Sequence, residues 1–236
     1  MSSNPDRNAW PRNVWPKFYP ILDVALLLAR TVDTASFAKG LRAAGIEVLQ
    51  YRNKQGNDAQ IIREMATLRA VFAGTTVQII LNDRADLVVQ TGADGAHVGQ
   101  QDIAPAAARS LVGAQHRVGV STHTLEQIAA ANATDCDYIA YGPVFATTTK
   151  EAPDAVVGLE GLRAARHATN KPLVAIGGIT RANCRAVMDA GADSVAVISD
   201  LFPPRDKTQA QVQTLATGIQ QVAGQFLALL YGEGGH

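Results

Sequence analysis

The chain reads as an α/β protein, a single (β/α)8 TIM barrel, on three observations. Four similar turns precede apolar runs: Ala44-Gly45-Ile46-Glu47, Thr91-Gly92-Ala93-Asp94, Thr134-Asp135-Cys136-Asp137 and Ala190-Gly191-Ala192-Asp193. They recur at about 45 to 55 residues, the length of two strand-helix units. The apolar runs are mostly continuous rather than alternating, as in a parallel sheet covered by helices, and Ala-rich stretches with helical spacing stand between them.

Taken in order, strands are expected at 19–24, 48–51, 76–83, 95–98, 117–122, 138–144, 172–179 and 194–197. Helices are expected at 33–43, 59–73, 85–90, 105–111, 125–131 and 181–190, with a helical region over 209–230 closing the barrel. Gly45, Gly92 and Gly191 stand where a helix C-cap takes a left-handed residue. Pro105 suits a first helical turn, and Thr124 with Gln127 fits a capping box. No linker splits the chain, so 19–231 reads as one catalytic barrel after an N-terminal extension, 1–18, that carries Trp10-Pro11 and Trp15-Pro16. An open doubly wound sheet is the alternative.

Bulk properties exclude several classes. With 236 residues and 47% apolar residues the chain can bury one large core. Its formal net charge is zero, so neither nucleic acid nor an anionic membrane is an expected partner. Any anionic ligand must be met by local charge. Cys136 and Cys184 lie far apart, without the paired spacing of a zinc site or a disulfide framework, and a reducing cytoplasmic setting is expected. The polar, Pro-rich N-terminus has no signal-peptide core, and the longest apolar stretch, near 25–29, is too short to span a bilayer. The sequence leaves a homo-oligomer open.

Barrel chemistry sits at the C-terminal ends of strands, so the residues there carry the argument. Strand two ends in Gln50-Tyr51-Arg52-Asn53-Lys54, where alternation puts Gln50, Arg52 and Lys54 on one face. An amide and two cations suit a diphosphate; a solvated basic turn is the alternative. Strand three ends in Asn82-Asp83-Arg84 and strand four in Gly99-Gln100-Gln101-Asp102. Asp83 and Asp102 come from neighbouring strands and together suit Mg2+, which keeps waters and takes phosphate oxygens. Singly, each also suits a helix N-cap. Strand five ends in Ser121-Thr122-His123, with Ser121 a donor and His123 read as a surface or capping residue; His97 reads as a barrel-interior residue. Strand six gives way at Gly142-Pro143 to Val144-Phe145-Ala146-Thr147-Thr148-Thr149-Lys150, hydroxyls and an ammonium that suit a phosphate or form a solvated loop. Gly177-Gly178, at the end of strand seven, and Ile198-Ser199, at the end of strand eight, match the usual phosphate position of such barrels, with a bulge or tight turn the alternative for the glycine pair.

In combination these motifs resemble the thiamine phosphate synthase family from about Tyr19 to Phe202. They are Gln50-x-Arg52-x-Lys54, Asn82-Asp83-Arg84, His97-x-Gly99-Gln100-x-Asp102, Gly119-Val120-Ser121, Gly142-Pro143-Val144-Phe145-x-Thr147-x-Thr149-Lys150, Ile176-Gly177-Gly178-Ile179 and Val197-Ile198-Ser199. The resemblance implies a barrel transferase that joins hydroxymethylpyrimidine diphosphate to a thiazole phosphate by a dissociative substitution. It implies that Gln50, Arg52, Lys54, Asn82, Ser121 and Lys150 hold the pyrimidine diphosphate. By the same resemblance Asp83 and Asp102 hold Mg2+, and Thr147, Thr149, Gly178, Ile198 and Ser199 hold the thiazole phosphate. Lys150, Ser121 and Arg52 are the expected catalytic residues. Asn53, Ala146 and Val157 depart from the family pattern beside these positions. A thiazole-phosphate tautomerase using His123, or a non-catalytic barrel binding a phosphorylated metabolite, are the alternatives.

Overall fold

A computed structural model describes residue 11 and residues 14–147, 155–203 and 212–232. Eight parallel strands close into a barrel in sequence order: β1 (Phe18–Asp23), β2 (Val48–Arg52), β3 (Gln78–Asn82), β4 (Gly95–Val98), β5 (Arg117–Thr122), β6 (Tyr138–Tyr141), β7 (Leu173–Ile176) and β8 (Ser194–Val197). The expected architecture therefore holds, and the open sheet does not. Around the barrel run α1 (Val24–Ala29), α2 (Thr34–Ala44), α3 (Asp58–Val71), α4 (Val88–Thr91), α5 (Pro105–Val112), α6 (Leu125–Asn132), α7 (Gly158–Ala168), α8 (Cys184–Asp189) and α9 (Val212–Tyr231).

Alternation along the strands makes two cores. Tyr19, Ile21, Val48, Ile80, Tyr138, Ala140, Val174 and Ala196 fill the barrel interior, with Trp15 beneath them. Phe18, Leu22, Leu49, Tyr51, Ile79, Leu81, Val118, Ile139 and Val195 point outward into the helix layer. Both faces are buried, which is why the strands read as continuous apolar runs. On the outside, Phe18 stacks on Phe226 of α9 with centroids 5.0 Å apart. Gly40 of α2 lets α9 come close, since a Cβ there would lie 2.5 Å from the Ala216 carbonyl oxygen.

The repeated turns have a structural task. Asp94, Asp137 and Asp193, each just before an even-numbered strand, accept the backbone N–H of Ile79 at 2.8 Å, Val118 at 2.7 Å and Leu173 at 2.8 Å on the preceding strand. Each is also paired with an arginine of the helix that leads into that preceding strand: Arg69 of α3, Arg109 of α5 and Arg166 of α7. These aspartates tie strand starts to helices on the face away from the strand C-termini. Gly45, Gly92 and Gly191 have φ of 80°, 65° and 104°, the left-handed conformation expected of them.

Several local expectations are corrected. β6 ends at Tyr141 rather than at 144, yet pairing resumes where the Val144 and Phe145 N–H groups donate to Ile176 and Gly177 at 2.8 and 3.0 Å. β7 stops at Ile176 because Gly177 and Gly178 turn left-handed, with φ of 100° and 63°. α1 and α7 were not foreseen. α1 starts because the Asp23 side chain accepts the Leu26 N–H at 2.9 Å. The capping box at α6 is half formed: Thr124 accepts from Gln127, but the Gln127 amide oxygen takes the His123 N–H at 2.6 Å. A reciprocal box stands instead at α3, between Asn57 and Gln60.

Candidate active site

The C-terminal rim gathers the residues singled out on β2 to β5. On β2, Gln50 points into the barrel and donates from Nε2 to the Tyr19 hydroxyl at 3.0 Å. Arg52, two residues on, pairs with Asp23 at the end of β1. Lys54 reaches Asp83 Oδ2 at 2.6 Å. The three side chains thus share the inward face that alternation predicts, but Arg52 is engaged by an acid the sequence reading missed. Asp23 is the last inward residue of β1, so the same alternation could have found it.

Asp83 does not cap a helix. Its backbone is left-handed, with φ of 63°, an arrangement that costs a non-glycine residue about 1–3 kcal/mol and that clusters at functional sites. Burial pushes its carboxyl up, the Lys54 ammonium pulls it down, and a hydrogen bond with Asp102 pushes it up again. Asp102 does not cap α5 either; Ala104 occupies that position, and Asp102 accepts the Gly99 N–H at 2.7 Å. The two carboxylates therefore meet, as adjacent strands allow. This donor set is all oxygen, and among the described residues no three His, Cys, Asp or Glu side chains cluster. A protein cage for a metal is absent there, and the pair fits a hard cation that takes its other ligands from water and phosphate.

Asn82 stands half-buried at the end of β3. Ser121 Oγ lies 2.8 Å from His97 Nε2, and its carbonyl accepts from Gln100 Nε2 at 2.6 Å. His97 is inside the barrel, as expected, and burial pushes its imidazole down to about 4, so it is neutral near pH 7. His123 Nδ1 meets the Gly142 carbonyl at 2.6 Å and so braces the turn after β6.

The second group lies after β6 to β8. Thr147 ends the described part of the loop; Thr149 and Lys150 lie outside the described residues. Gly178 packs under this loop, where a Cβ would lie 2.5 Å from the Ala146 carbonyl oxygen and 2.7 Å from Phe145 Cβ. Ile198 and Ser199 open a short 3-10 turn, Ser199–Leu201. The first N–H groups of such a turn have no partner within it and face whatever lies beyond the strand end. Arg181 and Asp200 hold the loops after β7 and β8 together through contacts of 3.0 and 3.1 Å.

A closed barrel with cations and paired carboxylates on one arc of its rim, and glycine-lined backbone on another, belongs to the barrel enzymes that handle anions. The family model for thiamine monophosphate synthase matches residues 18–201, and the chain belongs to that family. A thiamine-phosphate synthase of Koribacter versatilis is 49% identical over 85% of this chain and 96% of its own length. One from Chloroflexus aurantiacus is 40% identical over 88% of this chain and 95% of its own. The solved thiamine phosphate pyrophosphorylase of Pyrococcus furiosus, 29% identical, superposes with a TM-score of 0.72 over 92% of this chain and 98% of that one.

Proposed function

We propose that the chain makes thiamine phosphate, coupling 4-amino-5-hydroxymethyl-2-methylpyrimidine diphosphate to hydroxyethylthiazole phosphate with release of diphosphate. The observation that carries this reading is the meeting of Lys54, Asp83 and Asp102 at three neighbouring strand ends in a chain of this family.

In the reaction the bond from the pyrimidine methylene carbon to the diphosphate oxygen breaks, and the oxygen keeps the electron pair. The thiazole nitrogen lone pair then forms the new carbon–nitrogen bond. Little proton transfer is needed; charge neutralisation and alignment are. Asp83 and Asp102 would hold Mg2+, which supplies positive charge beside the leaving diphosphate. Lys54, Arg52 and Lys150 add theirs. A unit charge pair near 4 Å is worth about 4 kcal/mol at an effective dielectric of 20, and a hydrogen bond to a charged group about 1.5–3 kcal/mol, so the charged residues should dominate the leaving-group contribution. Gln50, Asn82 and Ser121 bind the pyrimidine side. Thr147, Thr149, Gly178, Ile198 and Ser199 bind the thiazole phosphate.

The partners are small molecules, and no helix among the described residues is long and apolar enough to cross a membrane. The tautomerase reading gains nothing, because its acid-base candidate, His123, braces a backbone turn. The test is diphosphate release by the purified full chain, with each substrate alone and both together, with and without Mg2+. Release should require both substrates and the metal, and Asp102→Ala and Lys150→Ala should each lower kcat by 100-fold or more, the order expected for an electrostatic contact made in the transition state. Near-normal turnover in both variants would remove the assignment.

A further inference from the structure

Gln50 and Ser121 are joined across the barrel interior by three buried side chains. Gln50 Nε2 lies 3.0 Å from the Tyr19 hydroxyl, which lies 2.9 Å from the Tyr138 hydroxyl. Tyr138 in turn lies 2.9 Å from His97 Nδ1, and His97 Nε2 lies 2.8 Å from Ser121 Oγ. Tyr19, Tyr138 and His97 are all within the buried interior, so water does not compete for these groups.

The donors in this line can be counted. A tyrosine hydroxyl owns one proton, and an amide nitrogen only donates. Gln50 presents its nitrogen to Tyr19, so Tyr19 accepts there. The proton of Tyr19 then has Tyr138 as its remaining partner among the described residues. Tyr138 accepts from Tyr19 and passes its own proton to His97 Nδ1. With Nδ1 accepting, the ring carries its proton on Nε2 and donates to Ser121. A doubly protonated ring fails the same count. It would force Tyr138 to donate back to Tyr19, whose own proton would then be buried without an acceptor. The chain also builds room for this line. A Cβ at Gly119 would lie 2.0 Å from Tyr138 Cζ, so only glycine on β5 leaves Tyr138 its place between Tyr19 and His97.

We propose that Tyr19, Tyr138 and His97 are positioning residues whose one-way run of donors leaves the Ser121 hydroxyl proton free to donate into the site and the Gln50 amide oxygen open as an acceptor. The inference deepens the proposed function and rests on it for the group that Ser121 and Gln50 meet. A pyrimidine diphosphate offers acceptors in its ring nitrogens and phosphate oxygens, and a donor in its amino group, so one donor and one acceptor at fixed places suit it. The reverse run, with the Gln50 amide turned over, would spend the Ser121 proton on His97 Nε2, leave only its lone pairs facing the site and close it to an anion.

The test uses the full chain labelled with 15N-histidine at a single neutral pH. Long-range proton–nitrogen spectra distinguish the two neutral tautomers, and the His97 signals are those lost in His97→Gln. The expected result is His97 protonated on Nε2. In Tyr138→Phe, which removes the donor that holds Nδ1 as an acceptor, the preference for that tautomer should weaken. The kcat of that variant should fall by about tenfold, equivalent to about 1.4 kcal/mol, while the KM for thiazole phosphate stays unchanged. A wild-type His97 protonated on Nδ1 overturns the proposal, as does Tyr138→Phe with unaltered kcat. If the wild-type tautomer is as expected but the protein does not couple the two substrates, the functional reading fails and the donor order stands.

Discussion

His97 shows how one buried side chain links the fold to pH. Its imidazole is pushed down to about 4 by burial first, with the Asp102 carboxylate opposing and the Lys54 ammonium adding to the fall. An unfolded histidine titrates near 6.5, so as pH drops the unfolded chain takes up this proton first. The associated stability is complete above about 6.5 and is lost as pH falls toward 4. At full extent it is of the order of 3 kcal/mol. Urea unfolding of wild type and His97→Gln should therefore show the advantage of the wild type shrinking between pH 7 and pH 4.5. A constant difference across that range contradicts the argument. Other residues at this scale were legible because they obey alternation. Gln50, Arg52 and Lys54 read correctly onto one face. Alternation also puts Asp23 on the inward face of β1, but it does not name the arginine on β2 that this carboxylate meets.

Elements were legible where one residue dictates the backbone. Gly45, Gly92 and Gly191 marked their turns because left-handed φ favours glycine. The aspartates of those turns were visible as a repeat, but their use was not, because each bonds to a strand and an arginine 15 or more residues away. α1 hid inside an apolar run whose helical start depends on the Asp23 cap. The segment before β1 shows the same limit. Trp15 could be assigned no role from sequence, yet it is buried at the barrel floor, stacked on Tyr138 with centroids 3.9 Å apart and edge-on to Tyr19 at 5.3 Å. Removing it opens a cavity that closed strands cannot collapse to fill. Trp15→Ala should cost about 3–5 kcal/mol in equilibrium unfolding. A loss under 1 kcal/mol would mean that the ring is not part of the core.

For the whole molecule, closure separates the work of the two ends. The pairs of Asp94, Asp137 and Asp193 with arginines lie at the strand starts, and the candidate site lies at the strand ends, as in barrels generally. α9 packs outside β1 and beside α2 through Phe226 on Phe18, and Phe226 itself stands on the outer face of the barrel wall. Phe226→Ala should thus lower stability by about 3–5 kcal/mol, while kcat per folded molecule is retained below the new melting transition. A large fall in kcat in protein that remains folded would show that the outer layer couples to the site.

The sequence alone determined the number and order of the strands, the parallel sheet, the family pattern and the shared face of Gln50, Arg52 and Lys54 on β2. These follow from periodicity and from residues with few permitted backbones, both local properties. Only the tertiary structure decided that Arg52 meets Asp23, that Lys54 stands against Asp83 of the expected carboxylate pair, and that Gln50 is connected to Ser121 through two tyrosines and a histidine. Those contacts join side chains of different strands, neighbours for the rim pairs and strands across the barrel for the line through the interior. Alternation states which face a side chain takes, but not the height at which its neighbour across the barrel stands.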